Sequence, residues 1–277
     1  MAHRNANRGV RSPSLVLVLT TTLGFMPGIA RAEGEAVVER LQHGEVNWTD
    51  KTVRATGSGA PNLKLPNVAA IRLNAERAAE LSAYKNILEA LKGVRITATA
   101  LGGDKLDQTQ IRAQVEGVIR GCKKVDTRYF SDYGVDVVVQ CPLDGALAAM
   151  LSPQTEYKPI EVKGDKSITG VIIDTGALSL KPSLSPRVVT EDGSEVYSQA
   201  VVKPSFLQKN GAVAYFASVD QAKKSDRIGD QPLVVTAVGL SGDSTEVRIS
   251  AADAEKIRGA NQWFLAEGRV ALATKSP

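Results

Sequence analysis

The chain has 277 residues, of which 34 are basic, 30 acidic, two histidine and two cysteine. Of the two histidines, only His43 lies outside the first 32 residues, and one histidine cannot build a multi-histidine zinc or iron centre; no HExxH, GxSxG or GxxxxGK[ST] motif is present. These features exclude the best-marked metalloprotease, α/β-hydrolase and P-loop classes. We therefore expect a non-enzymatic protein that holds no cofactor and no metal.

Residues 1–32 have the pattern of a secretory signal peptide. A basic start precedes a mostly apolar run at 15–26, and small residues stand at Ala30 and Ala32, the two positions that a signal peptidase reads. The pattern predicts cleavage between Ala32 and Glu33. An uncleaved membrane anchor is the alternative, although spanning the hydrocarbon takes roughly 20 apolar residues. No cysteine follows the cleavage site, so we expect no lipid anchor and a location in the periplasm or the extracellular space.

Removal of this leader changes the charge balance. The leader contains no acidic residue and four basic ones, which are Arg4, Arg8, Arg11 and Arg31. The remaining chain then has 30 residues of each sign and no net formal charge. A nucleic-acid partner is therefore not expected.

Residues 33–151 are predicted to form a first domain of the α+β class. The predicted elements, in chain order, are a helical lead-in at 35–42 that His43 ends, a hairpin at 46–55, a long helix, a strand at 94–98, a second helix at 108–120, a cysteine hairpin and a short helix at 143–151. This order predicts a mainly antiparallel sheet with helices on one face.

The long helix is marked at both ends. Asn67 is placed to cap its start and Gly93 to close it. Apolar side chains recur along it every three or four residues, namely Ile71, Ala75, Ala78, Leu81, Tyr84, Leu88 and Leu91. Because its first half is rich in alanine, we expect its backbone to approach a sheet closely.

The two cysteines, Cys122 and Cys141, flank the predicted hairpin. Strands are predicted at 125–130 and 135–139, and a two-residue loop at 131–132 would place the cysteines directly opposite each other. An even count in an exported chain favours a disulfide between them. Two free buried thiols are the alternative.

Residues 75–89, AERAAELSAYKNILE, carry a family motif. They resemble the helix A-x-x-A-A-x-x-D-A-Y-R-N-L-x-E of a bacterial envelope family that joins small outer-membrane lipoproteins to the N-terminal domain of the flagellar assembly protein T. Further matching motifs extend the resemblance over roughly 44–145. The chain departs from the family at Ser82, at Lys85 and in the missing lipid-bearing cysteine. The resemblance implies an envelope protein and supplies no catalytic residues.

An interruption at 152–165 is predicted to link the first domain to a second, mixed α/β domain at 166–277. Its expected elements, in chain order, are a strand at 171–173, a hairpin at 187–198, a helix from Ser218 to Gly229, a hairpin at 233–249, a helix that Ser250 caps and that carries Ile257, Ala260 and Phe264 on one face, and a strand at 269–273. The segment 169–174 also resembles the second half of longer members of the same family.

Asp174 is the one weak candidate for a ligand site. It ends an apolar strand beside Gly176, where a carboxylate can hold a metal, act as a base or accept hydrogen bonds from loop amides. The remaining noted acids fit caps of turns and helix starts, and these are Asp192, Asp220, Asp243 and Asp253. Trp48 and Trp263 lie near apolar faces, which favours core packing over sugar stacking.

These observations favour an exported, non-enzymatic protein of the bacterial cell envelope. It would act through contacts with other envelope proteins in the assembly or maintenance of a surface structure, a flagellum-associated one among them. The alternative is a module that binds a small ligand or a glycan such as peptidoglycan, near Asp174 or in a crevice between the domains. Peripheral contact with the outer membrane or peptidoglycan fits these hypotheses. A carboxylate-based hydrolase is a third hypothesis and needs paired acids about 5–10 Å apart.

Overall fold

The computed structural model describes residues 1, 35–97, 121–143, 155–162, 167–176, 178–260 and 262–277. Its first elements are β1 (Val38–Leu41), β2 (Gly44–Asn47), β3 (Thr52–Gly59), α1 (Val68–Lys92), β4 (Lys123–Tyr129) and β5 (Val135–Pro142). The five strands pair antiparallel in the order β1-β2-β3-β5-β4. Their core face packs against α1. The predicted α+β class is confirmed.

The helical lead-in predicted at 35–42 is wrong. Residues 38–41 instead form β1, which pairs with β2 across a turn at Gln42 and His43. Val37 and Glu39 are both buried, and this spacing of two is that of a strand with one face inward. His43 therefore belongs to a hairpin turn and not to a helix end.

Both predicted ends of α1 are confirmed, but part of its predicted apolar stripe is wrong. The Asn67 side-chain oxygen accepts a hydrogen bond from Ala70 N at 2.8 Å, and Gly93 closes the helix. Ala78 and Leu81 are exposed. The buried side chains are Ile71, Ala75, Ala79, Ala83, Ile87, Ala90 and Leu91. They recur mostly every four residues, so small alanines rather than the larger leucines form much of the contact with the sheet.

Two glycines of β3 allow this contact. A Cβ atom on Gly57 would lie 2.1 Å from Ala83 N and 2.2 Å from Ala79 O, and one on Gly59 would lie 1.9 Å from Ala75 O. No side chain fits between the strand and the helix backbone. The close approach predicted from the alanine-rich half of α1 is therefore correct.

The predicted strand at 94–98 is absent from its described residues, 94–97. Arg95 makes only an isolated bridge. Its carbonyl accepts from Leu184 N at 3.0 Å, and the next carbonyl, of Ile96, accepts from Ser185 N at 2.9 Å. The segment is thus tied to the second half of the chain rather than added to the first sheet.

Three predicted segments lie outside the described residues. They are the signal peptide at 1–32 apart from Met1, the second helix at 108–120, and the short helix at 143–151 apart from Leu143. The elements predicted there stay predictions, as does the cleavage between Ala32 and Glu33.

The loop of the β4–β5 hairpin has three residues, not the predicted two. Tyr129 faces Val135, Phe130 N donates to Gly134 O at 3.0 Å, and Tyr133 adopts a φ of 68°. A residue in the left-handed region is the usual third residue of such a loop. Near the loop, the register is therefore one residue away from the predicted one.

A bulge further along the hairpin restores the predicted register. The pairing shifts by one residue at Val125, after which Lys123 faces Gln140. The next step outward brings Cys122 and Cys141 together, with Cα atoms 4.1 Å apart, and their sulfurs form a disulfide. The predicted disulfide is confirmed, although the loop from which it was drawn has a different length.

The second part of the chain forms a mixed sheet with short helices. Its elements are β6 (Gly170–Asp174), β7 (Val188–Thr190), β8 (Glu195–Tyr197), α2 (Pro204–Asn210), β9 (Ala214–Phe216), α3 (Val219–Lys223), β10 (Pro232–Ser241), β11 (Glu246–Ile249), α4 (Ala251–Gly259), α5 (Trp263–Ala266) and β12 (Val270–Ala273). The strand order is β8-β7-β11-β10-β6-β12-β9. The four neighbours β10, β6, β12 and β9 are mutually parallel.

Most strands and both caps predicted for this part are confirmed. Ser218 accepts from Gln221 N at 3.2 Å at the start of α3, and Ser250 accepts from Asp253 N at 3.1 Å at the start of α4. Two helix ends are wrong, since α3 stops at Lys223 rather than Gly229 and Phe264 lies on the separate α5. The sequence interpretation missed α2 and β9, which are too short to show a period.

The segment 155–162, within the predicted linker, contains no helix or strand. Lys158 N donates to Ala200 O at 2.8 Å, so the segment follows the second sheet. The described residues from 35 onward belong to one compact unit.

Candidate functional site

A cleft of about 350 Å³ lies at the carboxyl ends of β6, β9 and β12. This volume falls in the usual range of ligand pockets, roughly 300–1,000 Å³. Its position also follows a general rule, because ligands of open α/β sheets bind outside the carboxyl ends of parallel strands. Asp174, the candidate drawn from the sequence, is part of its lining.

Asp174 is held by the loop that follows β6. Its Oδ1 accepts a hydrogen bond from Gly176 N at 2.8 Å, which is the loop-amide role considered for it. Between them, buried Thr175 donates to Ala273 O from its N–H at 3.0 Å and from its hydroxyl at 2.9 Å. The carboxylate of Asp174 is thus oriented through one oxygen, and its other oxygen, Oδ2, has no donor within the described residues.

A second carboxylate, Asp220, lines the cleft from the first turn of α3. The start of this helix is braced by reciprocal bonds: Ser218 Oγ accepts from Gln221 N, and Gln221 Oε1 accepts from Ala217 N at 3.0 Å. This arrangement is a capping box in all but the position of the second bond. It holds the backbone that carries Asp220 in place.

Lys275 supplies the positive charge in the lining. It follows β12 and is exposed, but the residues on both sides of it are anchored. Thr274 N donates to Phe216 O at 2.8 Å, and Ser276 Oγ accepts from Val38 N at 3.1 Å while donating to Ala36 O. The backbone of Lys275 is therefore positioned by β9 and by the segment that leads into β1.

The space of the cleft results from small residues. Gly176, Ala217 and Ala273 belong to its lining, and Gly176 has a φ of 53°, a conformation in which a side chain is strained. With two carboxylates, one ammonium group and the hydroxyls of Ser218 and Thr274, the cleft presents charges of both signs with an excess of negative charge.

Sequence reasoning identified Asp174 and treated Asp220 only as a helix-start acid. It missed Lys275, because only the parallel pairing of β6 with β12 brings residues 174 and 275 to the same edge. The capping pattern at Ser218 was the one available signal for Asp220.

The other three acids singled out in the sequence bond to groups outside the cleft. Asp192 accepts from Thr190 Oγ1 and Ser194 N, and these bonds lower the pKa of its carboxyl. Lys256 and then Ser250 lower the pKa of Asp253 in the first turn of α4, against the effect of burial. Asp243, in a turn, pairs with Lys181 at 3.0 Å. Asp192 thus accepts a backbone N–H as predicted, whereas Asp253 and Asp243 lie at a helix start and in a turn as expected but bond to side chains.

Both tryptophans take part in packing. Trp48 is 2% exposed and meets the Tyr215 ring edge-on, at 5.6 Å between centroids. Trp263 donates to Ile168 O at 3.0 Å, and the Arg269 guanidinium lies 4.8 Å from its ring. The core role is therefore the one that the contacts support.

A buried polar cluster joins the two sheets. Glu39 of β1 accepts from Trp48 Nε1 at 2.9 Å and pairs with Arg95, which also donates to Pro182 O at 3.1 Å. Beside it, Tyr215 exchanges hydrogen bonds with the backbone N–H and C=O of Ser183, at 2.9 and 2.8 Å. Burial raises the pKa of the Tyr215 hydroxyl. Every charged group of this cluster has a partner, so it reads as a structural junction.

Arg227 forms a second such junction. Its guanidinium donates to backbone carbonyls of the loop 210–213 and of Gly268. Burial lowers its pKa to about 10. Asn210 O also accepts from Lys51 in the first sheet. The Arg227 side chain therefore holds the loop between α2 and β9 in place, which is a structural role and not that of a ligand site.

The described part of the chain offers neither a cluster of metal ligands nor a membrane-spanning helix. No group of three or more histidine, cysteine, aspartate or glutamate side chains there is arranged to hold a metal ion. No helix in the same residues is both long enough and apolar enough to cross a membrane.

Residues 170–276 match the family model described as the second domain of Treponema pallidum Tp0624. The match covers less than half of the chain and contains the whole lining of the cleft. No curated protein matches the chain.

Proposed function

We propose that the protein is an exported, non-enzymatic component of the bacterial cell envelope that acts through contacts with other envelope proteins. The Cys122–Cys141 disulfide supports this setting, because such bonds persist in oxidising compartments and are rare in the cytosol. The signal-like start of the chain and the family motif at 75–89 are consistent with it. A flagellar process is suggested by the family resemblance alone.

The observation that carries the contact role is an exposed aromatic pair on the disulfide-linked hairpin. Tyr129 is 52% exposed and the neighbouring Phe130 is 45% exposed. Exposed aromatic side chains are enriched where proteins bind one another. The disulfide pins the other end of this hairpin, so the pair is presented by a rigid element.

Site-specific photocrosslinking in cells tests the contact role. A photoreactive phenylalanine analogue at position 130 is expected to capture a defined envelope protein. The same analogue at Glu191, in the exposed turn between β7 and β8, is the control and should not capture that partner. Absence of any adduct at position 130, or identical adducts at both positions, would contradict the proposal.

A second candidate function, binding of a small ligand or glycan, is favoured by the cleft around Asp174. Its volume, its position at parallel strand ends and its oriented Asp174 carboxylate are those of a binding site. Sedimentation with insoluble cell-wall material at low salt tests the glycan form of this candidate. Binding that Asp174→Asn weakens supports it, and a protein that stays in the supernatant contradicts it.

A further inference from the structure

The charged side chains of the cleft differ in sign and lie on different elements. Asp174 ends β6, Asp220 begins α3 and Lys275 follows β12. No ion pair within the described residues joins Lys275 to either carboxylate. The cleft therefore holds positive and negative groups whose charges remain available to an incoming molecule.

The backbone under each of these side chains is held before any ligand arrives. Gly176 N orients Asp174, the Ser218–Gln221 bonds brace the turn of Asp220, and anchored neighbours flank Lys275. Preorganised groups lose little freedom on binding, which raises the affinity obtained from each contact. An uncharged ligand would desolvate these charged groups without giving them a partner, so a ligand with complementary charges fits the cleft better.

Resting on the second candidate function, we propose that the cleft binds a small zwitterionic molecule that carries an ammonium group and a carboxylate, such as an amino acid or the end of a short peptide. The ammonium group binds between Asp174 and Asp220, where the negative charge is concentrated. The carboxylate pairs with Lys275. The small side chains of Gly176, Ala217 and Ala273 leave room for the carbon chain between the two charges.

Three probes of matched length separate the contributions of the two charges. The ¹⁵N-labelled protein is titrated with 5-aminopentanoate, with pentanoate and with pentylamine, and the amide resonances of Gly176, Ala217 and Lys275 are followed. The zwitterion is expected to bind more tightly than either singly charged probe, by about tenfold or more, because each charged hydrogen bond contributes that order of affinity.

Two variants assign the charges to residues. Asp174→Asn keeps an oxygen that accepts from Gly176 N and removes only the negative charge, so its fold should be unchanged. It is expected to weaken 5-aminopentanoate about tenfold and to leave pentanoate unaffected. Lys275→Met should also weaken 5-aminopentanoate about tenfold and should leave pentylamine unaffected. Asp230→Asn, an exposed carboxylate outside the lining, is the control and should not alter any titration.

The outcomes distinguish the ligand class from the presence of a site. Tighter binding of the zwitterion, with losses in the two variants and not in the control, supports the proposal. Equal binding of pentylamine or pentanoate would overturn the zwitterionic class and leave the cleft as a ligand site. Absence of shifts with all three probes would overturn both the class and the small-ligand candidate, while the envelope-contact function would still stand on its own crosslinking test.

Discussion

Glu39 on β1 and Arg95 after α1 form an ion pair in which both side chains are mostly buried, with 12% and 17% of their surface exposed. Trp48 donates to the second carboxylate oxygen, and Arg95 reaches Pro182 O in the second half of the chain. The pair therefore links the N-terminal hairpin, the end of the long helix and the loop before β7.

Removal of the Glu39 charge should destabilise the protein strongly. In Glu39→Gln the buried Arg95 loses its compensating charge, and breaking such a pair typically costs about 3–5 kcal/mol of unfolding free energy. Urea unfolding measures the change. Glu45→Gln is the matched control, because the Glu45–Arg54 pair is 3.8 Å apart and largely exposed, so its loss should stay below about 1 kcal/mol. Equal effects of the two substitutions would contradict the structural role of the Glu39 pair.

Gly57→Ala should be poorly tolerated because its Cβ would enter the backbone of α1, 2.1 Å from Ala83 N. Helix and strand must separate, at a cost of about 2–3 kcal/mol or more. Gly239→Ala in β10 is the control, since a Cβ there meets no atom within 4 Å. Thermal unfolding of the two variants should differ clearly, and similar midpoints would show that β3 does not press against the helix.

Local signals predicted the parts of the fold that depend on neighbouring residues. Asn67, Ser218 and Ser250 cap helices as expected, because a cap requires only a side chain and an amide two or three residues away. The inward face of α1 was misjudged at Leu81. The side chains that face inward are selected by tertiary contact, because Gly57 brings the β3 backbone against Ala79 and Ala83, and helical period alone does not reveal this.

The cleft was less accessible to sequence reasoning. Asp174 was found because it ends an apolar strand, whereas Lys275 comes near it only through the parallel pairing of β6 and β12. A hairpin can be read from its turn, but parallel partners separated by a hundred residues leave no local pattern. The disulfide was predictable for the opposite reason, since Cys122 and Cys141 belong to one hairpin.

Removal of the disulfide should weaken the protein without changing its fold. The cysteines are separated by 19 residues, and closing a loop of this size contributes about 3 kcal/mol in the chain-entropy description. The Cys122→Ser, Cys141→Ser double variant should therefore lose about that amount in urea unfolding and keep its far-ultraviolet circular dichroism. Loss of the native spectrum under folding conditions would show that the helix–sheet core depends on the bond.

Glu76 should contribute stability that disappears in acid. Lys124 and then Tyr129, both on β4, donate to its carboxylate and lower its pKa below the ordinary 4.5. A carboxyl whose pKa is lower in the folded state stabilises the fold above its unfolded pKa, and this contribution is lost as pH falls through the folded pKa. Glu76→Gln should thus be less stable than wild type at pH 7, and the difference should shrink between about pH 5 and pH 3.

The matched control for this pH dependence is Glu89→Gln. Glu89 lies on the same helix and pairs with Lys92 at 2.7 Å, but 45% of its side chain is exposed, so its removal should change stability little at pH 7. A Glu76→Gln difference that stays constant from pH 7 to pH 3 would contradict the stabilising role of the ionised carboxylate.

The proposed envelope function requires the protein to leave the cytoplasm, and one mass measurement tests this requirement. The native protein is taken from its producing cells, alkylated under denaturing, non-reducing conditions and weighed intact. The account predicts a chain that begins at Glu33 and takes up no alkyl group at Cys122 or Cys141. A chain that retains residues 1–32 and carries two alkylated cysteines would contradict export.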